Sequence, residues 1–337
     1  TTGASVGSDG SAALEIQTGS GSVTIDGGLA GAISNFVFMD GKLVTLDQLI
    51  ALSNSTSSSP VTVSETGGNI TYALGGNSVL SGGAGNDTLI AWNGGNTLTA
   101  GSGNQTLYSK SGNDTLTAGS GNDTLVSTAG NSTLIGSTGN ATFVIASTTD
   151  LIQAQLTGSN INMVKSSVSF VLPANVQNLV GTGSADIALT GNDLSNVITA
   201  NVGNDTLIAG TGMATLVGGA GNDTFVVNNV NDVVQSQSTG TNTILSSVDY
   251  VMPANVQNMT LTGSDNLIGT GNDLNDAITG NAGNDTLIAG AGNDTLFASS
   301  GVDTMIGGTG NDTFVINNVN DVIQAQSTGS NTNTVLT

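Results

Sequence analysis

Aspartates that recur nine residues apart behind glycine-rich turns are the side chains best placed to do chemistry in this chain. In Gly82-Gly-Ala-Gly-Asn-Asp-Thr-Leu-Ile90 the fourth place is glycine, the sixth is Asp87 and the eighth is apolar, and the same frame returns in tandem. Glycine lets the backbone take left-handed turns and bring its carbonyls close to an ion. The carboxylate adds hard oxygen of the kind that suits Ca²⁺. Cation binding coupled to folding is the chemistry this spacing supports.

Other chemistry is largely excluded. With no Cys and no His, the chain cannot build a thiolate or imidazole zinc site, a cysteine nucleophile or a histidine-based triad. A carboxylate pair could hydrolyse a glycoside, but three Tyr and one Trp offer little surface for stacking sugar. No catalysis is therefore expected within the chain. Of its 24 acidic residues only Glu15 and Glu65 are glutamate, the bases are Lys42, Lys110 and Lys165, and the net charge is −21. Nucleic acid and anionic membranes need a basic surface, so neither is an expected partner. No apolar run is long enough to span a bilayer, and no membrane insertion is expected.

The elements that must position the aspartates are read from the repeat. Eight copies run without a gap from Ala73 to Val144, and their eighth places are Leu80, Leu89, Leu98, Leu107, Leu116, Leu125, Leu134 and Phe143. One large apolar side chain per copy can thus point inward from a short strand. A second block from Gly191 offers Ile198, Leu207, Leu216 and Phe225; a third from Gly271 offers Ile278, Leu287, Leu296, Met305 and Phe314. Two related spacers separate the blocks, as Val168-Ser-Phe-Val-Leu-Pro-Ala-Asn-Val-Gln-Asn-Leu179 and Val248-Asp-Tyr-Val-Met-Pro-Ala-Asn-Val-Gln-Asn-Met259 show. At the N-terminus Ser22–Ile25 and Ile33–Met39 read as strands, while Thr45-Leu-Asp-Gln48 is a capping box expected to open a short helix. The resulting division is 1–60 flanking segment with a Ser-rich linker, 61–146 first block, 147–190 spacer, 191–228 second block, 229–270 spacer, 271–316 third block and 317–337 part of a third spacer. Because the last segment copies residues 229–238 and then stops, the chain is expected to be a piece of a longer protein.

Gly82–Ile90, Gly218–Val226 and Gly307–Val315 match the RTX nonapeptide GGxGxDxUx at every fixed place, and Phe36-Val-Phe-Met-Asp-Gly41 resembles elements that flank such repeats. The chain therefore resembles the RTX (repeats-in-toxin) calcium-binding family. That resemblance implies an all-β fold: blocks of right-handed parallel β-roll joined by β-rich spacers, with the short helix near the N-terminus. It also implies that two nonapeptides make one coil, that each copy lies under the copy two further on, and that calcium lies between those turns.

On that arrangement the sixth places of the first block, Ser78, Asp87, Asn96, Gln105, Asp114, Asp123, Ser132 and Ala141, never set Asp over Asp. Asp87, Asp114 and Asp123 are thus the weaker metal candidates, and the block should be calcium-poor. In the second block Asp205 stacks on Asp223. In the third, Asp276, Asp294 and Asp312 form one edge, and Asp285 with Asp303 the other. Four fully carboxylated sites are implied.

The family further implies export by type I secretion and folding outside the cell, where calcium is plentiful. Three functions fit such a chain: a structural protein that assembles with copies of itself into a surface layer or filament, a calcium-stiffened adhesin stalk, or the tail of a secreted enzyme or toxin. A cell-surface polysaccharide is a possible further partner. Phe170, Tyr250 and the neighbouring Val and Met residues in the spacers are the expected apolar contacts for assembly.

Overall fold

The computed structural model describes residues 70–73, 76–156, 158–237, 239–326 and 331–337, together with the backbone of the strands Thr2–Val6, Ala12–Thr18, Gly21–Asp26, Asn35–Val37, Leu43–Thr45 and Val61–Thr62. Its residues fall into two compact units, Thr1–Phe143 with Thr149–Asn160, and Val144–Thr148 with Ile161–Thr337. Each contains parallel β-solenoid coils, and no helix occurs among the described residues. None is therefore present that is long and apolar enough to cross a membrane.

The solenoid follows from the nonapeptide. A strand such as Thr97–Thr99 is three residues long, with its middle residue buried and both neighbours half-buried. So short a strand buries a single side chain and is stable only when stacked. Stacking is parallel, because the turn and the opposite strand together supply the crossover that parallel pairing requires. In the first unit Leu80, Leu98, Leu116 and Leu134 form one column and Leu89, Leu107 and Leu125 the facing one, each in register with the residue 18 positions away. All seven are at most 1 % exposed. At about 1.5–3 kcal/mol for each fully buried Leu, these columns are the principal source of stability.

In the second unit one column runs unbroken through Leu189, Leu207, Phe225, Ile244, Met259, Ile278, Leu296 and Phe314. The wall facing it changes part-way. Met163–Ser166, Asn178–Gly181, Asn196–Thr199, Ala214–Val217 and Val233–Gln235 face its first part, and Tyr250–Val251, Ile268–Thr270, Thr286–Ile288, Thr304–Ile306 and Val322–Gln324 its second. The spacers therefore supply solenoid coils of altered length. Ile244 pairs with Met259, 15 residues on, whereas Leu207 pairs with Phe225, 18 residues on. Within each spacer the Pro-Ala-Asn turn puts Asn175 or Asn255 at φ 67, a left-handed conformation that asparagine tolerates. The Tyr250 hydroxyl donates to the Asp232 carbonyl at 3.0 Å and so ties the start of the new wall to the end of the old.

Near the N-terminus, Thr2–Val6, Ala12–Thr18 and Gly21–Asp26 pair antiparallel, and so do Asn35–Val37 and Leu43–Thr45. The expected strand over Ser22–Ile25 lies within Gly21–Asp26, and Asn35–Val37 falls inside the strand expected over Ile33–Met39. Thr45, expected to cap a helix, ends a strand. The body of that helix, 46–50, lies outside the described residues.

Candidate metal-binding ladders

The sixth-place aspartates of the second and third blocks stand immediately before a strand at the edge of a coil, as Asp294 does before Thr295–Phe297, so side chains 18 residues apart lie one above another. Each carboxylate is used twice. Its Oδ1 accepts from the backbone N–H of the sixth-place residue one coil earlier: Asp276 to Asp294 at 2.7 Å, Asp294 to Asp312 at 3.2 Å, Asp285 to Asp303 at 2.8 Å and Asp205 to Asp223 at 3.0 Å. Its Oδ2 accepts from the second-place N–H of its own turn, as in Asn201 to Asp205 at 2.7 Å, Gly219 to Asp223 at 2.9 Å and Ser299 to Asp303 at 2.7 Å. The Asn281 N–H serves Asp285 in the same way.

One edge of the third block departs from this pattern. Asp276, Asp294 and Asp312 are each at most 2 % exposed, yet Asp276 Oδ1, Asp294 Oδ2 and Asp312 Oδ2 are buried without any hydrogen-bond partner. A buried carboxylate oxygen left unpartnered is strongly unfavourable. Burial pushes the Asp276 carboxyl up to about 7, and the charges of Asp294 and Asp273 add to the rise against the Asn272 N–H. Burial likewise lifts Asp294 to about 6, with Asp312 contributing. Carboxylates one coil apart, about 4.8 Å, repel by about 3 kcal/mol at an effective dielectric near 20.

The turns beside this edge present backbone oxygen. A Cβ on Gly310 would stand 1.5 Å from the Gly292 carbonyl oxygen, and one on Gly292 would stand 2.1 Å from that of Leu274. Only glycine allows so close an approach, and both residues sit at positive φ, +146 and +132. No three carboxylates converge among the described residues. The donor set is a carboxylate pair with turn carbonyls, all hard oxygen, and it fits Ca²⁺.

The model of the RTX calcium-binding nonapeptide repeat matches the chain at 65–98, 99–134, 190–225, 199–234, 270–305 and 279–314. The chain belongs to the RTX family. Among curated proteins no match is found. RTX repeats bind calcium and are typical of extracellular proteins exported by type I secretion. When bound, the ion would supply the charge neutralisation that the edge of Asp276, Asp294 and Asp312 lacks.

The remaining RTX aspartates stand as follows. Asp205 and Asp223 stack in the second block, and Asp285 and Asp303 on the second edge of the third, with burial raising Asp223 and Asp285. In the first block no aspartate stacks on another among the described residues. Asp87 accepts from Gly83 N–H at 2.8 Å. Asp114 accepts from Asn96 N–H and from the Ser109 hydroxyl, the latter at 2.7 Å. Asp123 accepts from Gln105 N–H at 2.8 Å and Gly119 N–H at 2.7 Å. Burial also raises Asp114 and Asp123.

Three aspartates escaped the sequence reading. Asp150, Asp232 and Asp321 lie in spacers but hold the same edge position, accepting from Ser132, Ala214 and Asp303 N–H at 3.0, 2.8 and 3.0 Å. Asp303–Asp321 is thus a further stacked pair. Its signal was the 18-residue offset, which continues one nonapeptide past the last glycine-rich turn.

Proposed function

We propose that this RTX chain is a structural module of an exported protein that calcium fastens and that assembles with copies of itself into a surface layer or filament. The reading rests on calcium-binding repeats joined to an apolar patch in the second unit. Val230, Val251 and Ile268 are 62, 65 and 43 % exposed there, around a groove of about 380 Å³ that Asp249 and Tyr250 also line. Contiguous exposed apolar side chains mark interaction surfaces. Tyr250 itself is half-buried and its hydroxyl is engaged, so of the spacer residues expected to make contacts it is the neighbouring Val251, more than Tyr250, that is offered to a partner.

The folded solenoid supplies rigid length, calcium neutralises the aspartate ladders, and the apolar patch supplies the contact between copies. Catalysis has no part in this reading. Light scattering and electron microscopy of the chain with and without calcium test it. Calcium should convert monomers into sheets or filaments. Val251→Asp should leave calcium stoichiometry unchanged and reduce polymer at least tenfold, since a carboxylate forced into an apolar contact costs more than about 1.4 kcal/mol. A chain that binds calcium and stays monomeric at high concentration would transfer the reading to the adhesin stalk or enzyme tail.

A further inference from the structure

The nonapeptide that fits the RTX pattern best in the first unit is Gly82–Ile90, and its turn is already filled. Gln105 stands one coil above Asp87, since Thr106 pairs with Thr88. Its side chain crosses back into the turn below. Nε2 donates to the Gly83 carbonyl at 2.9 Å and lies 3.4 Å from that of Gly85. A Cβ on Gly82 would lie 1.8 Å from Gln105 Oε1, so the amide head occupies the hollow that the turn leaves.

The arrangement recurs in the same unit. Asn160 Nδ2 donates to the Gln155 carbonyl at 2.8 Å and reaches the Ser137 and Gly139 carbonyls at 3.4 and 3.2 Å. Ser137 and Gly139 hold the second and fourth places of their repeat, as Gly83 and Gly85 do of theirs. In the third block no side-chain amide among the described residues donates to Gly290, Gly292, Gly308 or Gly310, whereas Asn318 Nδ2 donates to the fourth-place Gly301 carbonyl at 2.9 Å; buried unpartnered oxygens occur in both units, on Asp276, Asp294 and Asp312 in the second and on Gln105 Oε1 and Asp150 Oδ2 in the first.

We propose that Gln105 is a built-in substitute for the cation: its amide N–H takes the turn carbonyls that would otherwise face calcium and keeps the ion out of the Asp87 turn. The proposal rests on the reading that aspartate ladders elsewhere in the chain bind calcium. An amide nitrogen supplies the partial positive charge that carbonyl oxygens require and no net charge, so the Gly83 and Gly85 carbonyls are met without metal, while Gln105 Oε1 is itself buried without a hydrogen-bond partner. Gln105 thereby sets which coils bind calcium, a determinant lying one coil away from the motif it silences.

The test is calcium stoichiometry of the full chain, measured by titration calorimetry after chelation. Asp87→Asn should leave the wild-type stoichiometry unchanged. Gln105→Asp should add two equivalents of calcium, because the new carboxylate completes an unbroken ladder between Asp87 and Asp123; adding Asp87→Asn to it should remove one of the two. A wild-type chain that takes up calcium and loses an equivalent on Asp87→Asn overturns the proposal alone, as does a folded Gln105→Asp chain that gains none. Should Gln105→Asp fail to fold, the Asp87→Asn comparison decides by itself. A wild-type chain that takes up no calcium overturns the calcium reading, and the proposal with it.

Discussion

A sixth-place aspartate joins two jobs in one carboxylate: it accepts backbone N–H groups that hold adjacent coils in register, and it offers oxygen to a cation. Where neutral groups surround it the first job suffices, as with Asp114 and its Ser109 donor. Asp294 has Asp276 on one side and Asp312 on the other, so it belongs to two stacked pairs. Asp294→Ala should therefore lose the calcium-dependent stability of two sites, each about 2.7 kcal/mol when calcium stands 100-fold above its Kd. Asp114→Ala should lose almost none of it. Paired thermal melts in calcium and in chelator check this, and equal calcium-dependent losses contradict shared sites.

The pH response belongs to the same residues. Asp276 and Asp294 are lifted to about 7 and about 6, so each binds its proton more tightly folded than unfolded, where a carboxyl titrates near 3.9. The stability they contribute without metal is full below the unfolded value and is lost as pH rises through about 6 to 7. In chelator, then, the transition of the third block should have a lower Tm at pH 8 than at pH 5, and Asp276→Asn should flatten that slope. Calcium binds the deprotonated form and should restore the Tm at pH 8. Scanning calorimetry across pH measures it; a metal-free Tm that climbs from pH 5 to pH 8 contradicts the buried-carboxyl account.

At the scale of the coil, what the sequence revealed depended on whether the nine-residue frame was visible. The inward columns were legible because one apolar residue recurs at every eighth place, and Leu296 over Phe314 follows from that alone. Asp321 was hidden because its turn, Ile316-Asn-Asn-Val319, has lost every glycine while keeping the register. Gln105 was hidden for a different reason, since its contact with Gly83 depends on a side chain crossing between coils. Glycine at the fourth place is dictated by stacking as well as by turning. Gly310→Ala should exceed the cost of a left-handed backbone, about 1–2 kcal/mol, because its Cβ also meets the Gly292 carbonyl. Gly263→Ala, also at positive φ but with nothing within 4 Å of the added Cβ, should stay within that cost. Denaturant unfolding of the two variants ranks them, and equal losses contradict the stacking argument.

Across the whole molecule the two units share one repeat and differ in what closes their coil edges. The first sets neutral side chains such as Gln105 between its aspartates; the second stacks aspartate on aspartate, with the amide of Asn242 over Asp223, and buried unpartnered oxygens occur on Gln105 and Asp150 in the first and on Asp276, Asp294 and Asp312 in the second. Parallel coils that each bury one residue per strand gain little until their neighbours form, so edge closure decides whether a block is folded in a given medium. Calcium should accordingly act on one part of the chain and not the other. Hydrogen exchange of the intact protein, read peptide by peptide in calcium and in chelator, measures this most directly. The account predicts a large calcium-dependent gain in protection over 271–316, with residues 88–135 already protected in chelator. An equal gain in both segments, or none over 271–316, would contradict it.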